Sequence, residues 1–204
     1  MVGELIDDVK EEIVFFSKCG FYDKDEILET IEDEFIDFDV NLDLISHYLE
    51  KTFNKYQQYT NSEDFNNLQF AFDDLNKNGI ISIHNNAYDI QEGVDDAFEV
   101  YTHLLNNKYS PIGFCFYTLS DLEELFENQK LSLSYGSFDF EDEIKKSQIE
   151  DLIENTFKKY EFDIKKSDEQ FIIYNFNWIK VYDNKEYSME GAYEDFIKFN
   201  KKEV

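Results

Sequence analysis

The spacing of apolar positions predicts that the first part of the chain is helical. At 5–16, apolar residues recur every three or four positions with Asp and Glu between them, which is the pattern of an amphipathic helix. Gly20 is suited to end that helix, and Asp23 with Glu26 has the spacing of a capping box that begins a second one. A third helix is predicted from about Leu42 to Tyr59. We therefore expect a helical N-terminal part.

After a fourth helix that ends at Gly79, the pattern changes to an alternation of strands and helices. Ile80–Ile83 has the composition of a buried strand, and large and small side chains alternate along 112–117, just after Pro111. The helix predicted between these strands, at 92–107, is long enough to connect two parallel neighbours. The two strands are therefore expected to run side by side in one sheet.

The remaining patterns complete a mixed fold. In chain order they predict a short helix with a Ser120 and Glu123 capping box, a strand at 131–135, a long helix at 144–160, a hairpin of 162–165 and 170–176 that 178–182 extends, and a final helix around 193–197. The expected fold is α+β, a helical N-terminal part followed by a mixed sheet of about five strands flanked by helices. We expect one continuous unit with three parts: a helical part at 1–60, an α/β core at 61–182 and a helical extension at 183–204.

The charge of the chain limits the classes of molecule that it can bind. It has 46 Asp and Glu, 19 Lys and no Arg, and its formal net charge is -27. Such a chain should repel nucleic acid and anionic membranes and should attract basic proteins or cations. Because the N-terminal stretch lacks the features of a signal peptide and no apolar run reaches about 20 residues, we expect a cytoplasmic protein. The oligomeric state is left open.

The sequence contains few residues in patterns typical of metal sites, cofactor sites or catalytic sites. The two cysteines lie far apart in sequence, and the three histidines have no ligand spacing, so we expect neither a metal nor a cofactor. Residues 37–48 begin like a calcium loop, but Leu42 stands where that loop needs Gly and Tyr48 where it needs Glu. Phosphate loops, dinucleotide-binding glycine patterns and serine elbows are absent from the sequence.

Polar residues follow both predicted parallel strands, and ligands of α/β sheets usually bind at the carboxyl ends of strands. Three interpretations of this edge are open. A nucleophilic pair of Cys115 and His84, oriented by Asp121, would suit acyl transfer, although Cys115 stands within a strand between two Phe residues. A ligand pocket could form instead, or the residues could make only local hydrogen bonds. The candidate ligand-binding residues are Asn85, Asn86, Tyr88, Asp89 and Tyr117, with Asp121 beside them.

The Asp and Glu residues are concentrated in one segment. Residues 23–43 contain ten Asp and Glu and one Lys, with Phe35, Ile36 and Phe38 between them. Such a run is usually a solvated face, but acidic side chains interleaved with aromatic ones can also engage a basic surface. The candidate partner-binding residues are Asp23, Asp25, Glu26, Glu29, Glu32, Asp33, Glu34, Asp37 and Asp39.

Several segments together resemble an uncharacterised bacterial domain family, a domain of unknown function. They are GFYDKDEILE at 20–29, LQFAFDDLNKNGIISIHNNAY at 68–88, GFCFYTLSDLEE at 113–124, LSLSYG at 131–136 and NWIKV at 177–181. The resemblance implies one continuous unit to about residue 182 and implies no activity. The chain departs from the family at Ala87, where the family tends to have Gly, and at Thr118, where it tends to have His. Without that His, the resemblance argues less for shared catalysis at this edge.

These observations favour an acidic, non-enzymatic binding protein, similar to immunity proteins or inhibitors, that neutralises a basic protein partner. The alternative is an enzyme or small-ligand binder that uses the sheet edge around His84, Asn86, Tyr117 and Asp121. A concave pocket at that edge would favour the alternative, whereas a filled edge and a broad acidic face would favour the binding protein.

Overall fold

A computed structural model describes residues 6–35, 41–85, 87–139, 141–168 and 170–201. The elements within these ranges are α1 (Asp7–Cys19), α2 (Lys24–Glu34), α3 (Leu42–Tyr56), α4 (Glu63–Lys77), β1 (Ile80–Ile83), α5 (Ile90–Asn106), β2 (Gly113–Phe116), α6 (Leu119–Asn128), β3 (Lys130–Ser137), α7 (Glu143–Lys159), β4 (Asp163–Ser167), β5 (Gln170–Tyr174) and α8 (Met189–Phe199). The chain divides into two compact units, Met1–Ser62 with Ile179–Lys185, and Glu63–Trp178 with Glu186–Val204. We call them the helical unit and the sheet unit.

The helical unit is built from α1, α2 and α3. Their apolar faces meet in one buried cluster of Val9, Ile13, Ile27, Ile31, Phe35, Ile45, Leu49 and Phe53. Gly20 ends α1 with a φ of 76°, and the side chains of Asp23 and Glu26 form the predicted capping box of α2. The local signals for these helix ends are therefore confirmed.

The segment at 179–185 completes the helical unit as an irregular strap. Ser62 N donates to the carbonyl of Ile179 at 2.8 Å, and Val181 N donates to Asn61 Oδ1 at 2.8 Å. Strand β5 has already ended at Tyr174. The prediction that 178–182 extends the hairpin is therefore wrong, because these backbone groups find their partners in the 61–62 loop.

The sheet unit contains a five-stranded mixed sheet in the order β1-β2-β3-β5-β4. Strands β1 and β2 are parallel, with α5 as the connection between them, and the other neighbouring pairs are antiparallel. The predicted α+β fold, with its helical first part and its sheet flanked by helices, is confirmed. The final helix also packs back, since Ala192 and Phe196 of α8 are buried against Ile81, Phe114 and their neighbours.

Helix α5 packs against the core through a stripe that includes small residues. Its buried positions are Gly93, Ala97, Val100 and Leu104, whereas Leu105 is 44% exposed. Val94, Phe98 and Tyr101 lie partly buried beside that stripe. Small side chains let a helix lie close to its neighbours, so the flanking aromatic residues cover the contact from the side. Within the described parts of the chain, no helix has the length and apolarity that a membrane span requires.

Candidate functional site

The ends of β1 and β2 lie together, as the predicted parallel pairing requires. Ile83 pairs with Phe116, so the residues that follow, His84 and Tyr117, leave the sheet on the same face. Their side chains meet, with His84 Nδ1 3.0 Å from Tyr117 Oη. The two polar loops beyond are also joined, because Leu119 N donates to the carbonyl of Ala87 at 3.1 Å.

Aromatic rings enclose the His84 imidazole. The ring of Phe72 lies 4.4 Å away between centroids, that of Tyr187 lies 5.5 Å away, and those of Tyr117 and Phe65 lie 5.8 and 6.2 Å away. His84 is 7% exposed and Tyr117 is fully buried. A general base must reach the proton that it removes, and this packing leaves little room for a substrate beside the imidazole. The arrangement fits a buried polar pair within an aromatic core.

Cys115 is equally unsuited to nucleophilic attack. It lies on β2, is fully buried and is a free thiol. Burial raises the pKa of this thiol far above its ordinary value, which disfavours the thiolate that attacks carbonyl carbon. The structure therefore favours a packed core residue at this position.

Asp121 lies in the first turn of α6 and completes a capping box with Thr118. Helix α6 begins after Thr118, not at the predicted Ser120 and Glu123 box, and Thr118 N and Oγ1 both donate to Asp121 Oδ2 at 2.8 Å. Burial raises the pKa of the Asp121 carboxyl despite these hydrogen bonds. Asp121 N in turn donates to Thr118 Oγ1, while Leu119 N and Ser120 N donate to the carbonyls of Ala87 and Tyr88. These three amides at the N-terminus of α6 are therefore engaged and do not form an open anion site.

The other candidate ligand-binding residues serve the loop or point outward. Asp89 caps α5 by accepting from Glu92 N at 3.0 Å, and Tyr88 is 56% exposed. Asn85 and Ala87 have φ angles of 49° and 53°, a left-handed conformation that glycine adopts more easily than alanine. Asn86 lies outside the described residues. Sequence reasoning missed the aromatic enclosure: Phe65 and Phe72 were visible as the apolar face of α4, but Tyr187 follows no pattern.

Replacing Tyr117 with Phe should lower the free energy of unfolding by about 1–2 kcal/mol, because His84 Nδ1 loses a buried hydrogen bond while the ring packing is retained. Urea denaturation measures the change. Tyr88→Phe is the control, since that side chain is largely exposed and its loss of a hydroxyl should change stability by less than about 0.5 kcal/mol. Equal effects of the two substitutions would show that the pair contributes no stability.

The helical unit presents an acidic surface along α2. Ile27 and Ile31 are buried, and the exposed positions of the helix carry six carboxylates. We call this surface the α2 face; its residues are Asp25, Glu26, Glu29, Glu32, Asp33 and Glu34. Asp23 is half-buried at the cap, and Asp37 and Asp39 lie outside the described residues. Phe35 is buried in the core, so it does not contribute an aromatic group to this surface as the sequence suggested.

The charges on the α2 face oppose the stability of their own helix. Glu29 has carboxylates three or four positions away on both sides, at Asp25, Glu26, Glu32 and Asp33, and like charges at these spacings repel. The last turn contains acids and no basic residue, although the helix dipole favours cations there. Over the described part of the chain, no lysine nitrogen lies within 4.0 Å of these six carboxylates. The α2 face is therefore a site where a cationic partner would relieve repulsion.

Metal ligands do not converge in the described residues, where no group of three or more His, Cys, Asp and Glu side chains could hold an ion. Of the residues that resembled a calcium loop, Asn41 caps α3 with its side chain, accepting from Asp43 N and Leu44 N. Asn41 is thus engaged in the fold.

Comparison with known proteins extends the resemblance seen in the segments. The chain matches the family described as domain of unknown function DUF6891 over residues 3–181. A search of curated proteins and a search of solved structures gave no match. Since the family match covers both the helical part and the whole sheet, the chain belongs to the DUF6891 family.

Proposed function

We propose that this chain is an acidic, non-enzymatic binding protein of the immunity or inhibitor kind, which neutralises a basic protein partner in the cytoplasm. The observation that carries the proposal is the α2 face, where six exposed carboxylates lie on one helix of 11 residues and, among the described residues, no lysine nitrogen lies within 4.0 Å of them. Repulsion within this face is a cost to folding that binding of a cationic surface would offset.

The net charge supports the same conclusion over longer distances. A charge of -27 produces a field that accelerates encounter with a basic protein and repels nucleic acid. Cys19 and Cys115 are both buried and form no disulfide, which suits a reducing compartment.

The competing function, an enzyme or small-ligand binder at the end of β1 and β2, has less support. Its central residues, His84 and Tyr117, pack against each other and against aromatic rings. Clefts of about 390, 560 and 570 Å³ occur elsewhere in the sheet unit, and none of the three is lined by His84, Tyr117 or Asp121. The filled edge therefore favours the binding protein.

Retention of a basic protein from a lysate of the source organism tests the proposal. The wild-type chain is immobilised beside a variant in which Glu29, Glu32 and Glu34 become Gln and Asp33 becomes Asn. At about 0.05 M salt the wild type should retain a basic protein that about 0.5 M salt releases, since salt screens exposed charges. The α2 variant should bind the purified partner at least about tenfold more weakly, a loss of about 1.4 kcal/mol.

A control separates the α2 face from total charge. Replacing Glu99, Glu123, Glu124 and Glu127 with Gln removes the same number of exposed carboxylates from the sheet unit. This variant should bind the partner within about threefold of the wild type. If no basic protein is retained at low salt, or if both variants lose binding equally, the proposal is wrong.

The α2 variant should also be more stable than the wild type. Removing four like charges from α2, three of them in its last turn, should raise the free energy of unfolding by about 1–2 kcal/mol. Thermal denaturation at low salt measures the gain, and added salt should reduce it. Unchanged or lower stability would contradict the argument that the α2 face trades stability for binding.

A further inference from the structure

A cleft of about 560 Å³ in the sheet unit provides a second candidate surface. Its lining residues come from β2 at Phe114, from β3 at 134–137, from Asp139, from Ser167, Asp168 and Gln170 around the end of β4 and the start of β5, and from the first turns of α5 and α7 with Val94. We call it the β3 cleft. Its volume falls within the range of small-ligand pockets, about 300–1,000 Å³.

Polar side chains of the sheet line part of the β3 cleft, beside the aromatic residues Phe114 and Tyr135. Ser134 and Ser137 are buried, and Gln170 Nε2 donates to Ser134 Oγ at 3.1 Å. Ser134 and Gln170 are also paired residues of β3 and β5, so the sheet register holds this contact in place. The hydroxyl oxygen of Ser134 and the amide oxygen of Gln170 can accept hydrogen bonds from a ligand that has several N–H or O–H donors.

The charged residues that line the cleft are acidic on balance. Asp139, Glu143 and Asp168 line the cleft against a single lysine, Lys146. Asp139 is already paired with Lys145 at 3.1 Å. Among the described residues, Glu143 and Asp168 have no lysine nitrogen within 4.0 Å, so both can pair with a cation from another molecule.

An apolar surface adjoins these polar groups. Ile90 lines the cleft although it is 48% exposed, and Val94 lies one turn further along α5. A ligand with a hydrocarbon stem and a cationic head could contact the apolar residues with its stem and the acidic residues with its head. Arginine and lysine side chains have this form. Arginine fits better, because its planar guanidinium has five donors for several acceptors, whereas lysine is a compact charge with three.

We propose that the β3 cleft binds an arginine-containing segment of the basic partner, with the side-chain stem on Ile90 and Val94. The guanidinium lies among Ser134, Gln170 and the carboxylates of Glu143 and Asp168. This inference rests on the proposed function, to which it adds a second contact with defined side-chain chemistry. The α2 face supplies general attraction, and the β3 cleft selects arginine.

Titration of the full chain with acetylated tetra-arginine amide, and with the matching tetra-lysine peptide, tests the inference. Amide shifts in nuclear magnetic resonance spectra should concentrate at 134–137, Ser167, Asp168 and Gln170, and tetra-arginine should bind at least about fivefold more tightly than tetra-lysine. Asp168→Asn should weaken tetra-arginine binding about fivefold to tenfold. Asp168 has a φ of 50°, and Asn is tolerated in this conformation, so the turn should persist.

Charge-matched controls make the test specific. Lys146→Gln should tighten tetra-arginine binding about twofold to fivefold, because it removes the cation that lines the cleft. Glu127→Gln changes the net charge as Asp168→Asn does, and Lys201→Gln changes it as Lys146→Gln does. Both controls are at exposed positions that do not line the cleft, so each should change affinity less than about twofold. Equal effects of Asp168→Asn and Glu127→Gln, or amide shifts confined to α2, would overturn the inference.

The same variants separate this inference from the proposed function. If the purified partner loses affinity for the α2 variant but not for Asp168→Asn, the β3 cleft is not part of the interface and the proposed function stands. If the peptide binds in the cleft as expected but no basic protein partner is retained by the chain, the proposed function fails and the arginine site stands.

Discussion

Gly20→Ala should lower the free energy of unfolding of the helical unit by about 3 kcal/mol or more. Gly20 has a φ of 76°, a conformation that costs an L-residue about 1–2 kcal/mol. A Cβ at this position would also lie 2.3 Å from the carbonyl oxygen of Lys180. Because that neighbour is backbone and not a flexible side chain, the strap at 179–185 must move away from α1.

Gly79→Ala is the matched control for this substitution. Gly79 has a φ of 84°, but an added Cβ would meet only Ile112 Cγ1 at 3.7 Å, an ordinary contact. It should therefore show the backbone penalty alone, about 1 kcal/mol. Native-state hydrogen exchange of amides in α1 and in α4 measures the two losses separately. A loss at Gly20 no larger than that at Gly79 would show that the strap does not depend on close approach to Gly20.

Lys180 should make the helical unit more stable as the solution becomes alkaline. Its side chain is buried, and its Nζ donates to the carbonyl of Gly20 at 2.8 Å and to Asp183 Oδ1 at 3.3 Å. Burial lowers the pKa of Lys180 from 10.5 to about 8, although Asp183 opposes the shift. Above about pH 8 the folded chain releases this proton while the unfolded chain keeps it until about pH 10.5, so stability increases with pH across that window.

The expected gain is about 2 kcal/mol between about pH 7 and pH 9.5. It is measured as the difference between the wild type and Lys180→Met, because subtraction removes the titration of the tyrosines. Lys51→Met is the control, since Lys51 is an exposed lysine of the helical unit outside the strap and its replacement should leave the pH dependence of the wild type intact. If wild type and Lys180→Met have the same pH dependence, Lys180 is not titrating in this window.

The elements that could be predicted from the sequence are those with local causes. The capping box of Asp23 and Glu26 and the helix end at Gly20 depend on residues within one turn, and both are confirmed. The parallel pairing of β1 and β2 follows from the length of α5 between them. That pairing was enough to bring His84 and Tyr117 to one edge of the sheet.

The start of α6 shows why local signals alone can mislead. Thr118 with Asp121 and Ser120 with Glu123 are overlapping pairs at the spacing of a capping box, and only the second was predicted to begin the helix. The structure selects the first, because the amides of Leu119 and Ser120 are satisfied by carbonyls of the 87–88 loop, more than 30 positions earlier in the chain. The choice between two local solutions thus depended on a distant partner.

By itself, the sequence determined the charge of -27, its concentration on α2 and the order of the helices and strands, since these depend on composition and on contacts between near neighbours. Only the tertiary structure decided that aromatic rings close the His84 edge, that 179–185 joins the helical unit, and that the β3 cleft exists. The physical reason is that each of these features depends on contacts between residues far apart in the chain, which periodicity and capping signals do not encode.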